Sequence, residues 1–175
     1  DLTGLPNRRM LRKQLDAAIE QSQVLQQQLA ILFIDLDHFK EVNDTLGHDN
    51  GDRLLVQAAQ RILDCVAATD TVARMGGDEF TVMLRDAHDT QKIECTMHRI
   101  LASLANVFQL GSEQVFVSAS IGVAQYPLNA ARVEELFKHA DQALYVAKGA
   151  GRNCFSFFTP ALQEAAQLRA RLAAD

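Results

Sequence analysis

The sequence is short of several things, and each shortage removes a class of function. No apolar run approaches the roughly 20 residues of a membrane-spanning helix, and no signal peptide is visible. Positive charge is scarce: 17 Lys and Arg stand against 22 Asp and Glu, for a net charge of -5. Such a chain has no general basic field, which argues against a nucleic-acid polymer as partner. Cys65, Cys95 and Cys154 are widely spaced and follow no metal-binding pattern. Set mostly among apolar neighbours, they read as reduced core residues of a cytoplasmic protein. Internal repeats and low-complexity stretches are missing, and so is an initiator Met. A chain that opens on "DLTGLPNRR" is expected to be cut from a longer parent, which is free to carry a membrane anchor.

What is present suits one globular domain: 175 residues, 48% hydrophobic and 22% charged. That length buries most of its apolar surface without disulfides. Leu11, Leu15 and Ile19 recur at helical spacing, and "LAILFID" (29 to 35) is a short apolar run suited to a buried strand. Leu54, Leu55, Ala58, Ala59, Ile62, Leu63 and Val66 form one helix face, with Asp49 or Asn50 as the expected cap. Strands follow near 71 to 75 and 79 to 84, then a helix over roughly 90 to 106. Residues 114 to 126 alternate apolar and polar as one strand, 132 to 148 repeat a helical face, and "NCFSFF" reads as a last strand. A mostly polar tail helix ends the chain. Helices interleaved with strands around one antiparallel hairpin predict an α/β or α+β mixed sheet with helices on both faces.

Two acidic clusters are unusual. In "MGGDEF" (75 to 80), Gly76 and Gly77 sit between strand-like runs as a tight turn, since Gly reaches positive φ without steric penalty. Asp78 and Glu79 follow at once and repel by roughly 4 kcal/mol at about 4 Å and an effective dielectric near 20. Either a cation compensates them, or they are solvated at a loop tip. In "FIDLDHFKEVND" (33 to 44), Asp35 and Asp37 are two apart at a strand's carboxyl end and so share a face. A helix start with Lys40 comes directly after, and such a start favours phosphate. Asp35 with Asp78 would suit Mg²⁺ and phosphate if their strands are neighbours. Capping acids at a strand end explain Asp35 and Asp37 about as well, and a solvated helix lysine explains Lys40.

The joint occurrence is more specific than its parts. "MGGDEF", preceded by "DLTGLPNR", "FIDLDHFKEVND" and "LGHDNGD" and followed by "SIGVA" and "ALYVAKGAGRN", resembles the GGDEF family of diguanylate cyclases, block by block and in spacing. The resemblance covers residues 1 to about 158 and leaves 159 to 175 as a helical tail or linker. It implies a five-stranded mixed sheet flanked by helices, similar to the palm of nucleotidyl cyclases, with the signature on an antiparallel hairpin. It implies condensation of two GTP into cyclic di-GMP and two pyrophosphates across a homodimer, with Mg²⁺ or Mn²⁺, two per half-site, as cofactor.

Residue by residue, the resemblance makes Asp78 a metal ligand and proton acceptor, with Asp35 and the Leu36 carbonyl as further ligands. Lys40 would neutralise phosphate charge beside the amides around His38 and Phe39. Asn43 and Asp52 would read the guanine edge with His48 nearby. Lys148 and Arg152 would reach the phosphates, Gly76 and Gly77 would make room, and Glu79 is a possible support. The family's inhibitory product site is degenerate here, with Asp70 present but Ala67 in place of arginine. The family pattern implies an upstream sensor, and the tail resembles linkers to an EAL phosphodiesterase domain. The alternatives are a non-catalytic GTP-binding module, possible control of an attached EAL domain included, and a pure dimerisation domain.

Overall fold

The nine-residue strand β1 (Leu29–Asp37) is apolar on both faces over most of its length, so it belongs at the centre of a sheet covered twice. The computed structural model describes residues 2–174. Its five-stranded sheet also contains β2 (Thr71–Gly76), β3 (Glu79–Leu84), β6 (Ser118–Tyr126) and β7 (Phe155–Phe157), in the spatial order β2-β3-β1-β6-β7. Neighbours are antiparallel except β6 and β7, which run parallel. The result is the mixed α/β sheet expected from the alternation of elements, in the five-stranded, palm-like form that the resemblance implies.

Period-2 geometry splits the side chains of β1 between two cores. Ala30, Leu32, Ile34 and Leu36 face α2 (Phe39–Leu46), α3 (His48–Leu63) and α4 (Thr90–Ala105). Leu29 and Ile31 face α1 (Arg8–Leu25) and α5 (Val133–Gly149), through Leu15, Ala18, Leu136 and Ala140. Full burial of a Leu or Ile contributes roughly 1.5–3 kcal/mol, so these layers fix the register of β1. Asp35 and Asp37 continue the odd-numbered face and emerge from beneath α5. Gly122 on β6 sets the height of that helix: a Cβ there would lie 2.2 Å from both the Ala140 carbonyl oxygen and the Leu144 nitrogen. The helix rests on strand backbone with no side chain between.

The local signals act as their chemistry suggests at two helix starts. Asn7 caps α1 by accepting from the Met10 amide at 2.9 Å, and Asp89 caps α4 by accepting from Gln91 at 3.0 Å. Several expectations are corrected. Neither Asp49 nor Asn50 caps α3: the helix starts at His48 behind Gly47, whose φ of 89° suits glycine, and Asn50 donates back to the Leu46 carbonyl. Leu63, expected on the buried face, is 40% exposed because α3 ends there. The single strand expected over 114 to 126 is interrupted at Phe116, which is 75% exposed. Its first part is β5 (Glu113–Val115), paired with β4 (Phe108–Leu110) in a separate hairpin that the sequence did not suggest. Of the three cysteines, Cys65 is buried and Cys154 half-buried, but Cys95 is exposed on α4. The last helix, α6 (Pro160–Ala174), lies against α5 and stacks Arg169 on the Tyr145 ring at 4.3 Å. Among the described residues no helix is long and apolar enough to cross a membrane.

Candidate active site

Pairing of β1 with β3 brings the two acidic clusters together. Asp35 stands opposite Glu79, and the Leu36 amide donates to the Asp78 carbonyl at 3.3 Å. Beside them opens a cleft of about 190 Å³, lined by Asp35, Leu36, Asp37, His38, Phe39, Lys40, Glu41, Asp78, Lys148 and Arg152. A larger hollow of about 320 Å³ lies between the signature hairpin and α5, floored by Phe33, Phe80 and Phe137. Convergent charge distinguishes the smaller cleft.

Three backbone features shape it. Gly76 and Gly77 take φ of 147° and 52°, and no atom lies within 4 Å of an added Cβ at either. Glycine is required there by backbone sign, and it leaves the turn open to solvent. Arg74 grips that turn, with Nε and Nη2 donating to the Gly77 carbonyl at 3.0 and 2.9 Å. The Arg74 amide in turn donates to the Pro6 carbonyl at 3.1 Å, which ties the opening "LTGLP" segment to β2. At the end of β1, His38 adopts φ of 63°, turning strand directly into α2 without a side-chain cap. The first turn of α2 therefore presents orphan amides beside Lys40.

The electrostatics are those of crowded acids held by two cations. Lys148, from the last turn of α5, forms an ion pair with Asp35 Oδ2. Burial works against the ammonium, but its hydrogen bond to Asp35 and the Asp35 charge outweigh that and raise its pKa above the ordinary lysine value. Burial pushes the Asp78 carboxyl up to about 6, with the charge of Asp35 and a hydrogen bond to it adding to the rise. The Asp35 Oδ1 atom is buried without a hydrogen-bond partner. A cation would relieve both conditions. Two carboxylates beside the Leu36 carbonyl suit Mg²⁺, which takes few protein ligands and completes its shell with water and phosphate oxygens. Among the described residues, no group of three or more His, Cys, Asp or Glu forms an all-protein cage.

The remaining candidates lie outside this cleft. Asn43 packs on α3 where Gly51 leaves space: a Cβ at Gly51 would fall 1.8 Å from Asn43 Oδ1. Asp52, the next residue of α3, is exposed. His48 is exposed at the first position of α3. Glu79 is exposed on β3, and its charge adds the smallest of the contributions raising Asp78. Asp70 is remote from the cleft, and its carboxylate accepts from the Ala67 and Arg85 amides, each at 2.9 Å.

A family model described as "Diguanylate cyclase, GGDEF domain" matches residues 1–154. The chain belongs to the GGDEF family. It is 41% identical to the bifunctional diguanylate cyclase/cyclic di-GMP phosphodiesterase MucR of Pseudomonas aeruginosa, over 100% of this chain and 25% of MucR. It is 37% identical to the cyclic di-GMP phosphodiesterase PdeR of Escherichia coli, over 93% of this chain and 24% of PdeR. It thus spans about a quarter of the length of these relatives. The solved GGDEF domain of TpbB (YfiN) from P. aeruginosa superposes with a TM-score of 0.92 at 38% identity, covering 95% of this chain and 98% of that one.

In this GGDEF domain the structure adds residues that the sequence reading passed over. Arg74 holds the signature turn, and Gly51 seats Asn43. Asp37, read beside Asp35 as a shared-face acid, has both oxygens occupied: Ser118 and Ser120 donate to it at 2.6 and 2.8 Å, and the Asn153 amide at 3.1 Å. The two serines of "SASIG" alternate onto the same sheet face as Asp37, a period-2 signal that was available in the sequence.

Proposed function

We propose that this domain is a diguanylate cyclase acting in cyclic di-GMP signalling, each copy holding one GTP. The observation that carries the reading is the convergence of Asp35 and Asp78 with Lys40, Lys148, Arg152 and the start of α2 around one cleft. Asp35, Asp78 and the Leu36 carbonyl would hold Mg²⁺ or Mn²⁺, two per half-site, which would supply charge neutralisation and a lowered pKa for the attacking hydroxyl. Asp78 accepts the ribose 3′-hydroxyl proton at its carboxylate. Lys40, Lys148 and Arg152 bind and orient the triphosphate, together with the amides around His38 and Phe39. Arg152 offers a planar fork for phosphate, whereas each Lys acts as a point charge. Asn43 and Asp52 bind the guanine edge, an acid accepting from N1–H and N2–H. His48 lies at the same end of α3, the open turn at Gly76 and Gly77 admits the nucleotide, and Glu79 supports the turn.

Each 3′-hydroxyl attacks the α-phosphorus of the opposite GTP, expelling pyrophosphate. Two copies facing each other about a twofold axis meet that demand, so a homodimer is the working unit. Residues 1–158 form the catalytic domain and 159–175 a helical tail or linker, within a longer parent that places a sensor upstream. Chromatographic detection of cyclic di-GMP after incubation with GTP and Mg²⁺ tests the reading. The alternative, a GTP-binding regulatory module, is favoured by the relative PdeR, whose matching segment sits in a protein named as a phosphodiesterase. GTP binding without product would select it.

A further inference from the structure

Asp37 is 3% exposed, and its carboxylate joins three separate pieces of chain. Oδ1 accepts from Ser120 on β6 and stands 3.8 Å from Arg152 Nε; Oδ2 accepts from Ser118 and from the Asn153 amide. The segment it grips is conformationally expensive. Gly151, Arg152 and Asn153 take φ of 114°, 64° and 50°, and a left-handed backbone is disfavoured for the two that are not glycine. Such a run persists only where the surroundings over-determine it. The Arg152 amide donates to the Ala147 carbonyl at 3.2 Å, and the Cys154 carbonyl accepts from Ile121 at 3.0 Å. Between those anchors, Asp37 supplies the acceptor for Asn153 and the countercharge for Arg152. Asp35 differs in having one buried oxygen unpartnered. The two acids of "DLD" therefore divide the work, one with capacity to spare and one fully engaged.

We propose that Asp37 is a positioning residue that locks the left-handed turn 151–153 and aims Arg152 at the triphosphate, an inference resting on the reading of the cleft as a GTP site. Buried between three donors and a guanidinium, its carboxylate sets where that guanidinium stands. Loss of its charge weakens phosphate binding and leaves guanine recognition by Asn43 and Asp52, which do not line the cleft, untouched.

The test uses Asp37→Asn, Ser118→Ala and Arg152→Ala, with calorimetry for GTP, inorganic tripolyphosphate and guanosine in Mg²⁺, and amide exchange at 150–154. Ser118 is half-buried, so its alanine variant weakens the same carboxylate with little threat to the fold. Asp37→Asn should weaken GTP and tripolyphosphate by the same factor, about tenfold, and guanosine by less than about twofold. Ser118→Ala should act in the same direction more mildly, and both should accelerate exchange at Asn153. In the Arg152→Ala background, Asp37→Asn should add less than about twofold, because contacting residues are non-additive. Fully multiplicative effects, or unchanged Asn153 exchange in both Asp37→Asn and Ser118→Ala, would overturn the proposal. A parent that binds neither GTP nor tripolyphosphate overturns the reading of the cleft, and the exchange result then decides the grip of Asp37 by itself.

Discussion

Replacing Asp78 by Asn removes one charge from the cleft at nearly constant volume, so its effect on stability isolates the electrostatics. The carboxyl rises from 3.8 to about 6 through burial and the neighbouring Asp35. Roughly two pKa units correspond to a ceiling of about 3 kcal/mol. Asp78 is only half-buried, and solvent screening brings that to about 1 kcal/mol. The sign follows from linkage. Because the folded pKa lies above the unfolded one, the native state holds the proton more tightly. Well below the ordinary value of 3.8 both states are protonated and Asp78 carries no penalty; the penalty develops as pH rises from about 4 to about 6 and is complete above that. Asp78→Asn should therefore lie close to the parent at pH 4 and exceed it at pH 7 by about 1 kcal/mol, or roughly 2 to 4 °C in Tm. Thermal melts in EDTA at pH 4, 5.5 and 7 measure this, alongside GTP turnover that falls by several orders of magnitude. A pH-independent Tm difference, or a less stable Asn variant at pH 7, refutes the electrostatic argument. Turnover near the parent rate refutes the catalytic role.

Asn43→Ala or Asp52→Ala should weaken GTP binding by about 1 to 3 kcal/mol and narrow the preference over ATP, read by competition binding. Gly51→Ala should have a similar effect on affinity by displacing the Asn43 side chain, with Tm unchanged or higher, since Ala favours helix by roughly 1 kcal/mol over Gly. Specific activity should rise with protein concentration if two copies complete one site, and a dilution series with a flat rate per monomer argues against that. Cyclic di-GMP should bind weakly to the nucleotide-free domain, because Ala67 offers no guanidinium and the Asp70 carboxylate already serves two backbone amides. Sub-micromolar calorimetric binding abolished by Asp70→Ala would contradict this.

Much of the fold was legible because its patterns are local. Leu54, Ala58 and Ile62 recur on one face of α3, and the glycine pair marks its hairpin directly. What stayed hidden depends on tertiary distance. Nothing near Phe116 announces that the alternating run changes sheets there, since alternation persists through the break. Gly47 rather than Asp49 starts α3 because the chain turns off α2 with positive φ, and no side chain records that. In the site, the acids and Lys40 were legible as chemistry. The separate duties of Asp35 and Asp37 were not: residues two apart look equivalent until Ser118, Ser120 and the 151–153 turn fold in beside one of them.

The bare contact between α5 and Gly122 has a mechanical consequence. Helices seated on interlocking side chains can shear by small amounts over a sheet; backbone resting on backbone leaves less room for such play. Lys148 is carried at the far end of that helix and faces Asp35 on the strand next to β6. The spacing between cation and acid is thereby gauged by the scaffold rather than by adaptable packing, and a signal arriving from outside has little purchase on it. In the proposed pair of facing domains, control would work best by moving each domain whole rather than by adjusting this spacing.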